Sequence, residues 1–364
     1  MLDALGRLAD AHCARHGEPG RWIVAVSGGM DSIVLAHAAR AVLPAPSLVF
    51  AHLHHGLRGL EADLDQWHVE RFARALGVVS IVGRAVIDAR NAGAGVEAAA
   101  RSARRGFFRS FAAPVWLAHH AGDQIETLLL RWQRRAAWRG LGGMRPSAPL
   151  EGARPSAPLL RPWLDIPRDR LRSYARRHGL AWREDATNAD TRFARNAIRH
   201  GLLPRLEQVA PDLPGRLIAF ARAADRLDRL FVRFSLGWLD RLAEVRTTPG
   251  GSNSPRGKEG KEGTEGGKCG EIRLPLERLR RLAGLRAATG DPRGDPAVYL
   301  LRTAWERVMD RPAPDASAPT LRRLLDLIGT GAPGARAPLA GGGRVERSAF
   351  ALVFRAPDPA EGRP

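Results

Sequence analysis

The sequence predicts an α/β fold, with a Rossmann-like parallel sheet that carries helices on both faces. A helical region and a small α+β C-terminal domain are predicted to follow. Short apolar runs alternate with helical patterns up to about residue 206, a glycine-rich turn follows the first run, and a polar segment precedes the last helices and strands. Ligands of such sheets bind beyond the carboxyl ends of the strands.

The first half of the chain predicts strands and helices in alternation. Residues 22–26 (Trp-Ile-Val-Ala-Val) form a short apolar run that ends at a glycine turn over residues 27–31, which is typical of a buried strand. Further strands are predicted at residues 48–53, 78–82 and 115–118, and helices at residues 33–42, 64–76, 96–111 and 123–135.

The second half of the chain contains a helical region, then a polar segment, then a small domain. Helical patterns cover residues 167–178, 196–206 and about 214–244. Residues 247–268 read TTPGGSNSPRGKEGKEGTEGGK and contain no large apolar side chain, so a disordered insertion is predicted there. Helices near residues 276–285, 297–309 and 321–328 and a β-like end, with Val345 and residues 351–354, complete the small domain. The predicted divisions are therefore 1–206, 207–246, 247–268 and 269–364.

The charge balance narrows the class of partner. The chain carries 57 Lys and Arg against 38 Asp and Glu, a formal net charge of +19. This excess favours nucleic acid, although an arginine-rich surface from a GC-biased genome would give the same balance. Cys13 and Cys269 lie far apart, which argues against a metal cluster and favours a reducing, cytoplasmic location. The charged N-terminus does not resemble a signal peptide, and no run reaches the about 18 apolar residues that span a membrane.

The most specific motif is Ser27-Gly28-Gly29-Met30-Asp31-Ser32, between a predicted strand and a predicted helix. Glycines let the backbone approach phosphate oxygens, and the N–H groups at a helix N-terminus bind anions. Ser27 and Ser32 add hydroxyl donors, whereas Asp31 would repel phosphate and is predicted to hold Mg²⁺. The alternative is an ordinary glycine turn with an Asp N-cap. No GKS or GKT follows, so transfer of a γ-phosphate is not implied.

This hexapeptide resembles the signature of the PP-loop ATP pyrophosphatases, which release pyrophosphate and leave AMP on a substrate oxygen. Four further segments are similar to the family of tRNA(Ile)-lysidine synthases. They are His52 to Arg58 (its HGLR segment), Gly95 to Arg104 (its GxExxAR…R helix), His119 to Thr127 (its HHxDDQxET segment) and Arg161 to His200 (its RPL…RN.IRH run). The resemblance covers about residues 20–206 well and the remainder weakly.

The resemblance implies a substrate, a cofactor and partners. ATP would be bound by Ser27, Gly28, Gly29, Met30, Asp31 and Ser32, with Mg²⁺ as cofactor. ATP would adenylate the wobble cytidine of tRNA(Ile) with a CAU anticodon, and free L-lysine would then expel AMP and form lysidine. Residues 1–206 would be the catalytic domain, and residues 207–246 and 269–364 would contact tRNA. The oligomeric state stays open, with a homodimer as one option.

Two pairs of charged residues, each on a predicted helix, are further candidates for the site. Arg101 and Arg104 share a helix face with Glu97, which alone indicates a surface ladder of ion pairs, whereas the resemblance implies catalytic arginines that face an adenylate. Asp123 and Glu126 lie in the first turn of a helix, where carboxylates complement the helix dipole. They could instead hold a cation, either Mg²⁺ or the lysine ammonium, and their charge together with the resemblance favours lysine.

A basic cluster and two histidine pairs are the remaining candidates for functional residues. Arg192, Arg195 and Arg199 suit tRNA phosphates, with a solvated basic helix face as the alternative. The histidine pairs 54–55 and 119–120 are predicted to end strands beside the nucleotide rather than to bind zinc, because neither has cysteine partners or an HExxH pattern.

The sequence departs from the family pattern at three places. Gly122 stands where the family has a first aspartate, residues 133–139 (QRRAAWR) replace its RGSG segment, and His54 replaces the aspartate before HGLR. The alternatives are a tRNA thiolation enzyme, which two isolated cysteines serve poorly, and a non-catalytic RNA-binding protein, which the intact glycine turn disfavours.

Overall fold

The computed structural model describes residues 1–56, 59–85, 96–134, 138–150, 157–184, 194–247, 269–283, 296–309, 318–329, 331–339 and 343–356. The chain divides into two compact units. The first comprises Met1–Ala136 and Gly140–Arg222, and the second comprises Ala137–Arg139 and Ala223–Pro364. None of the described helices is long and apolar enough to cross a membrane.

A six-stranded sheet forms the centre of the first unit. Its strands are β1 (Trp22–Ala25), β2 (Leu48–His54), β3 (Val79–Arg84), β4 (Val115–Trp116), β5 (Ser147–Ala148) and β6 (Leu159–Leu160). The strand order is β3-β2-β1-β4-β6-β5, and only the β5–β6 pair is antiparallel. The predicted Rossmann-like sheet is therefore confirmed, with a short antiparallel edge that the sequence did not predict.

Helices lie before, between and after these strands. In the first unit they include α1 (Leu2–His16), α2 (Met30–Val42), α3 (Leu60–Ala75), α4 (Val96–Arg109), α5 (Ala121–Gln133), α7 (Arg168–Arg177), α8 (Ala194–Ala197) and α9 (Leu203–Val209). The short α6 (Trp138–Leu141) and the long α10 (Leu213–Leu242) each include residues of both units. A 3₁₀ turn at Ala45–Ser47 precedes β2, and a π-helical stretch at Ile198–Leu202 joins α8 to α9.

Alternate side chains of the central strands enter two separate cores. Trp22 and Val24 of β1 pack in one cluster with residues of α1, α2, α3 and α7. Ile23, between them, packs in another cluster with Phe108 of α4 and Val115 of β4. Because successive strand residues point to opposite faces, this arrangement buries both faces of the sheet and confirms the predicted helices on either side.

The predicted elements match the observed ones to within a few residues, but several observed elements were not predicted. The sequence interpretation did not predict α1, although its amphipathic pattern buries Leu5, Ala9 and His12. It also did not predict β5 and β6, which have two residues each. Strands this short carry no readable period, so only their partners reveal them.

The second unit contains a five-stranded antiparallel sheet in the order β7-β8-β11-β10-β9. The strands are β7 (Glu244–Thr247), β8 (Cys269–Pro275), β9 (Arg336–Pro338), β10 (Arg344–Arg347) and β11 (Ala351–Arg355). Helices α11 (Leu276–Ala283), α12 (Pro296–Met309) and α13 (Ala318–Gly329) pack with it around a core that includes Leu274, Trp305, Leu324 and Phe354. The small α+β domain is confirmed, although β7, β8 and β9 were not predicted.

The predicted divisions of the chain remain predictions. The boundary between the two units lies at Arg222 and Ala223, inside α10. Thr247, the first residue of the predicted insertion, ends β7, and residues 248–268 lie outside the described residues.

Candidate functional site

The glycine-rich turn lies between the end of β1 and the start of α2. Gly28 has φ +92°, a left-handed conformation that residues with a Cβ rarely adopt. Gly29 is the N-cap of α2, and no side chain caps this helix. The first N–H groups of α2 thus remain available to an anion at the carboxyl end of the central strand.

Two hydroxyl groups hold this turn in shape. The N–H of Ser27 donates to Ser32 Oγ at 3.1 Å, and Ser32 Oγ donates to the carbonyl of Gly29 at 2.8 Å. The hydroxyl oxygens of Ser27 and Ser32 lie 3.1 Å apart. Both hydroxyl groups therefore brace the loop itself, and their contact with a phosphate stays a prediction.

The Asp31 carboxylate projects from the first turn of α2. Its side chain is 26% exposed, and Nε of Arg168, the first residue of α7, lies 3.5 Å from Asp31 Oδ2. His120 Nε2 lies 3.8 Å from the same oxygen. These long distances leave the carboxylate loosely held and open to a ligand.

His120 links Asp31 to the head of α5. It is the N-cap of that helix: its Nδ1 accepts from the N–H of Gly122 at 3.0 Å, and its own N–H donates to Asp123 Oδ2 at 3.0 Å. Because Nδ1 accepts, the proton of the neutral ring lies on Nε2. That nitrogen is 3.5 Å from Asp123 Oδ2, so one imidazole edge faces both carboxylates.

Glu126 lies one turn further along α5 and is 1% exposed. Arg199 Nε donates to Glu126 Oε1 at 2.6 Å, and Arg199 Nη2 donates to Asp123 Oδ1 at 3.1 Å. Arg195 Nε lies 3.0 Å from Glu126 Oε2 without hydrogen-bond geometry. The structure therefore brings together the carboxylates predicted for lysine and two arginines predicted for tRNA.

Burial and neighbouring positive charge shift the pKa values of Glu126 and Asp123 in opposite directions. Burial raises the pKa of Glu126, and the hydrogen bond and charge of Arg199 only partly offset that rise. Burial also opposes ionisation of Asp123, but His120 and His119 hold the pKa of Asp123 below its ordinary value. Asp123 is thus the more firmly ionised carboxylate of the pair.

Arg101 and Arg104 are exposed on α4, where their spacing of three residues places them on one side of the helix. The charge of Arg104 contributes to lowering the pKa of His119, so this guanidinium acts at the edge of the cluster. The side chain of Glu97 lies outside the described residues, and the predicted ladder through it is untested.

The pKa of His119 is well below its ordinary value. Burial lowers the pKa of its imidazole to about 4 against the attraction of Asp123, and Arg161, Arg195 and Arg104 lower it further. An ordinary histidine titrates near pH 6.5, so below that pH the unfolded chain binds a proton that the folded protein does not. The free energy of unfolding should therefore fall as the pH falls from about 6.5 to about 4.

We expect His119 to contribute about 1–2 kcal/mol to the loss of stability between pH 7 and pH 5. The measurement is urea denaturation of the wild type and of His119→Gln, whose neutral side chain does not titrate, at both pH values. Equal losses in the two proteins would show that His119 accepts a proton readily in the folded state.

Gly122 is closely packed against the His120 ring. A Cβ at residue 122 would lie 2.8 Å from His120 Cε1 and 3.1 Å from His120 Nδ1. The missing first aspartate of the family pattern therefore coincides with an imidazole that fills the same space.

Gly122→Ala should displace the His120 ring and break the cap of α5, at a cost of about 0.5–2 kcal/mol. The control is Gly106→Ala on α4, where nothing lies within 4 Å of the new Cβ and a gain of about 0.5–1 kcal/mol is expected. Urea denaturation of the two variants provides the comparison. Equal stabilisation of both would show that the ring makes room.

The sequence interpretation assigned no ligand-binding role to His120 or Arg168. His120 could have been recognised, since a polar residue followed three positions later by an acidic one is a helix-start signal. Arg168 had no such signal, because its contact with Asp31 joins segments 137 residues apart. His54 ends β2 as predicted, and its Nε2 lies 3.1 Å from Asp63 Oδ1. The prediction that residues 119–120 end a strand is wrong, because β4 ends at Trp116 and His120 is the N-cap of α5.

Several residues of the matched motifs lie outside the described part of the chain, so their predicted roles are untested. They are Leu57, Arg58, Gly95, Asp185, Thr187, Asn188 and Arg192, together with residues 135–137 of the QRRAAWR segment.

Known proteins are similar to part of this chain. Residues 7–206 match the family model described as a PP-loop domain. The chain is 41% identical over 208 residues to the tRNA(Ile)-lysidine synthase of Burkholderia mallei, covering 55% of this chain and 41% of that protein. It is 43% identical over 211 residues to that of Alkalilimnicola ehrlichii, covering 57% and 46%. The chain therefore spans less than half the length of these relatives.

Among solved structures, a tRNA thiolase from Methanococcus maripaludis is similar with a TM-score of 0.47 and 14% identity, covering 62% of this chain and 80% of that one.

Proposed function

We propose that this chain, which belongs to the PP-loop family, adenylates the wobble cytidine of tRNA(Ile) with a CAU anticodon and then joins free L-lysine to that base. The observation that carries the proposal is the placement of the glycine turn, Asp31 and the Asp123–Glu126 pair in one connected cluster. The relatives with about 41–43% identity to this part of the chain are lysidine synthases, which supports the same activity.

The proposed reaction has two steps that share the cluster. The O2 atom of cytidine attacks the α-phosphorus of ATP, and pyrophosphate leaves. The ε-nitrogen of lysine, after losing a proton from its ammonium, attacks C2 of the base and expels AMP. Adenylation is useful because AMP leaves far more readily than a carbonyl oxygen, and the product is lysidine.

The ATP phosphates would lie against the turn. Residues 27–32 supply glycine backbone and the N-terminus of α2, which together favour bound anions. Arg101 and Arg104 are exposed cations that would face the adenylate and stabilise the charge that develops on its phosphate. Both roles follow from charge and position, and from the family resemblance.

The residues present fit a Mg²⁺ ion shared with the phosphates. Mg²⁺ usually takes one or two protein carboxylates, with water and phosphate oxygens as its other ligands. Asp31 offers a partly exposed carboxylate, whose neighbours Arg168 and His120 lie 3.5 and 3.8 Å away. No group of three or more His, Cys, Asp or Glu side chains suited to a metal occurs among the described residues, so the phosphates would complete the ion's shell. When bound, Mg²⁺ would neutralise phosphate charge.

Lysine would be held through its ammonium group by Asp123 and Glu126. Both carboxylates now contact Arg199, so an incoming ammonium would take over part of that pairing. Arg199 and Arg195, with Arg192, would then be free to contact tRNA phosphates. This exchange would place lysine and the tRNA in neighbouring positions, as the second step requires.

The remaining proposals concern tRNA and the rest of the chain. The net charge of +19 suits a polyanion. Residues 207–246 and 269–364 would extend the tRNA contact beyond the PP-loop unit, with a cytoplasmic location for the whole protein.

Pyrophosphate release tests the proposal directly. The purified protein should release pyrophosphate only when ATP, Mg²⁺ and the CAU-anticodon tRNA are all present, and should release AMP and form lysidine when lysine is added. A tRNA whose wobble base is uridine serves as the control. Sulfur incorporation instead of lysine, or no pyrophosphate at all, would contradict this function.

A further inference from the structure

The segment that follows α7 runs alongside the glycine turn. The N–H of Arg183 donates to the carbonyl of Gly28 at 3.0 Å, and the carbonyl oxygen of Arg183 lies 4.0 Å from where a Cβ on Gly29 would stand. Arg183 lies within the Arg161–His200 segment, but no role was predicted for it, and the reaction proposed above does not use it. Its backbone is nevertheless the direct partner of the phosphate-binding turn.

The side chain of Arg183 fastens this segment to α3. Arg183 Nε donates to Asp65 Oδ1 at 2.6 Å, and Arg183 Nη2 donates to Glu61 Oε2 at 2.5 Å. His68 Nε2 lies 3.2 Å from the carbonyl oxygen of Ala181, which adds a second link to the same helix. Three contacts therefore hold residues 181–183 against α3.

Asp65 is the stronger of the two acidic partners. Its side chain is 11% exposed, whereas that of Glu61 is 63% exposed. Charge-assisted hydrogen bonds gain strength where water is excluded, and exposed ion pairs contribute little. The contact with Asp65 therefore contributes most of the energy with which the Arg183 guanidinium holds this segment against α3.

Gly28 lies between this segment and α3. A Cβ on Gly28 would stand 3.7 Å from the carbonyl oxygen of Asp65 and 3.8 Å from Val69 Cγ2. The turn is thus packed on one side by α3 and hydrogen-bonded on the other by Arg183, which is itself tied to α3.

The hydrogen bond to the Gly28 carbonyl determines where the next N–H points. In a trans peptide the C=O and the N–H project in opposite directions. Since Arg183 holds the Gly28 carbonyl on its own side, the Gly29 N–H is directed away from Arg183 and towards the interior of the turn, where it lies 3.4 Å from Ser27 Oγ. Rotation of this peptide would instead present a carbonyl oxygen to the phosphate and repel it.

We propose that Arg183 is a positioning residue for the pyrophosphate loop: it clamps the Gly28–Gly29 peptide so that its N–H, and not its carbonyl, faces a bound nucleotide phosphate. The clamp acts through the loop and touches no reacting atom. The inference rests on the proposed function only to the extent that this turn binds ATP.

Arg183→Gln should weaken ATP binding by about tenfold, because loss of the charge-assisted hydrogen bond to Asp65 loosens the segment that holds the Gly28 carbonyl, and a contact of this kind is worth at least that factor. The KM for ATP should rise by the same factor. The kcat at saturating ATP and the KM for lysine should stay within about twofold, because once ATP is bound the loop has the same conformation in the variant and in the wild type. Arg183→Lys should recover part of the affinity. Arg177→Gln, at the exposed end of α7, is the matched control and should bind ATP like the wild type.

Binding of Mg·ATP to the full chain is measured by calorimetry without tRNA, so that it is independent of the later chemistry. Asp65→Asn provides a second route to the same clamp, and in a double-mutant cycle its effect should not add to that of Arg183→Gln. Hydrogen exchange should show faster exchange of the Arg183 amide in both single variants. Unchanged ATP affinity in Arg183→Gln and Asp65→Asn would overturn the clamp, whereas a wild type that binds no ATP would overturn the proposed function as well.

Discussion

Asp31→Ala is expected to reduce tRNA-dependent pyrophosphate release by about 100-fold or more, the scale of losing one main electrostatic contact in a reaction. Asp31 is the one acidic side chain of the glycine turn, and its carboxylate is partly exposed beside Arg168 and His120. Without Asp31, the Mg²⁺ ion that we propose to neutralise the ATP phosphates would lose its carboxylate ligand. Release of radiolabelled pyrophosphate at saturating ATP, tRNA and lysine measures the loss.

The fold should tolerate this change, because both neighbours of Asp31 lie 3.5 Å or more away. Asp169→Ala is the matched control, since Asp169 also lies in the first turn of a helix in the same unit and is exposed. Each variant should lose about 0.3–1 kcal/mol of helix-dipole stabilisation at most. If Asp31→Ala turns over like the wild type, Asp31 does not hold the catalytic ion.

Glu126→Gln is expected to raise the lysine concentration needed for half-maximal lysidine formation by about ten- to a hundredfold. Glutamine keeps the size and one acceptor of the buried side chain but removes the charge that would hold an ammonium. Adenylation of tRNA needs no lysine, so labelled adenylyl-tRNA should still accumulate when lysine is left out.

Two other outcomes of this experiment would assign a different role to Glu126. Failure to form adenylyl-tRNA would show that the carboxylate serves the metal or ATP. A higher requirement for tRNA with an unchanged requirement for lysine would show that Glu126 acts by holding Arg199, which it contacts at 2.6 Å. Glu70→Gln on α3 is the control for the chemical change alone, because Glu70 pairs with Gln66 away from the cluster.

Local sequence was sufficient for the parts of the site that depend on neighbouring residues. The glycine turn and the approximate bounds of α2 and α5 follow from short-range rules, since glycine torsions and helix ends are set within a few residues. Helix α2 nevertheless begins at Met30, three residues before the predicted start at Ile33. The alternation of short apolar runs with helical patterns was enough to predict the parallel sheet. The order of its strands and the two-residue pairs at its edge were not readable in this way.

By itself, the sequence determined the fold class, the glycine-rich turn and the family resemblance, because these reside in contiguous motifs. The tertiary structure alone decided the partners of the charged groups. Arg168 reaches Asp31 across 137 residues, Arg183 reaches Asp65 across 118, and Arg199 reaches Glu126 across 73. Such pairs form where packed helices and strands bring distant segments together, and no local pattern of charge specifies which cation meets which carboxylate.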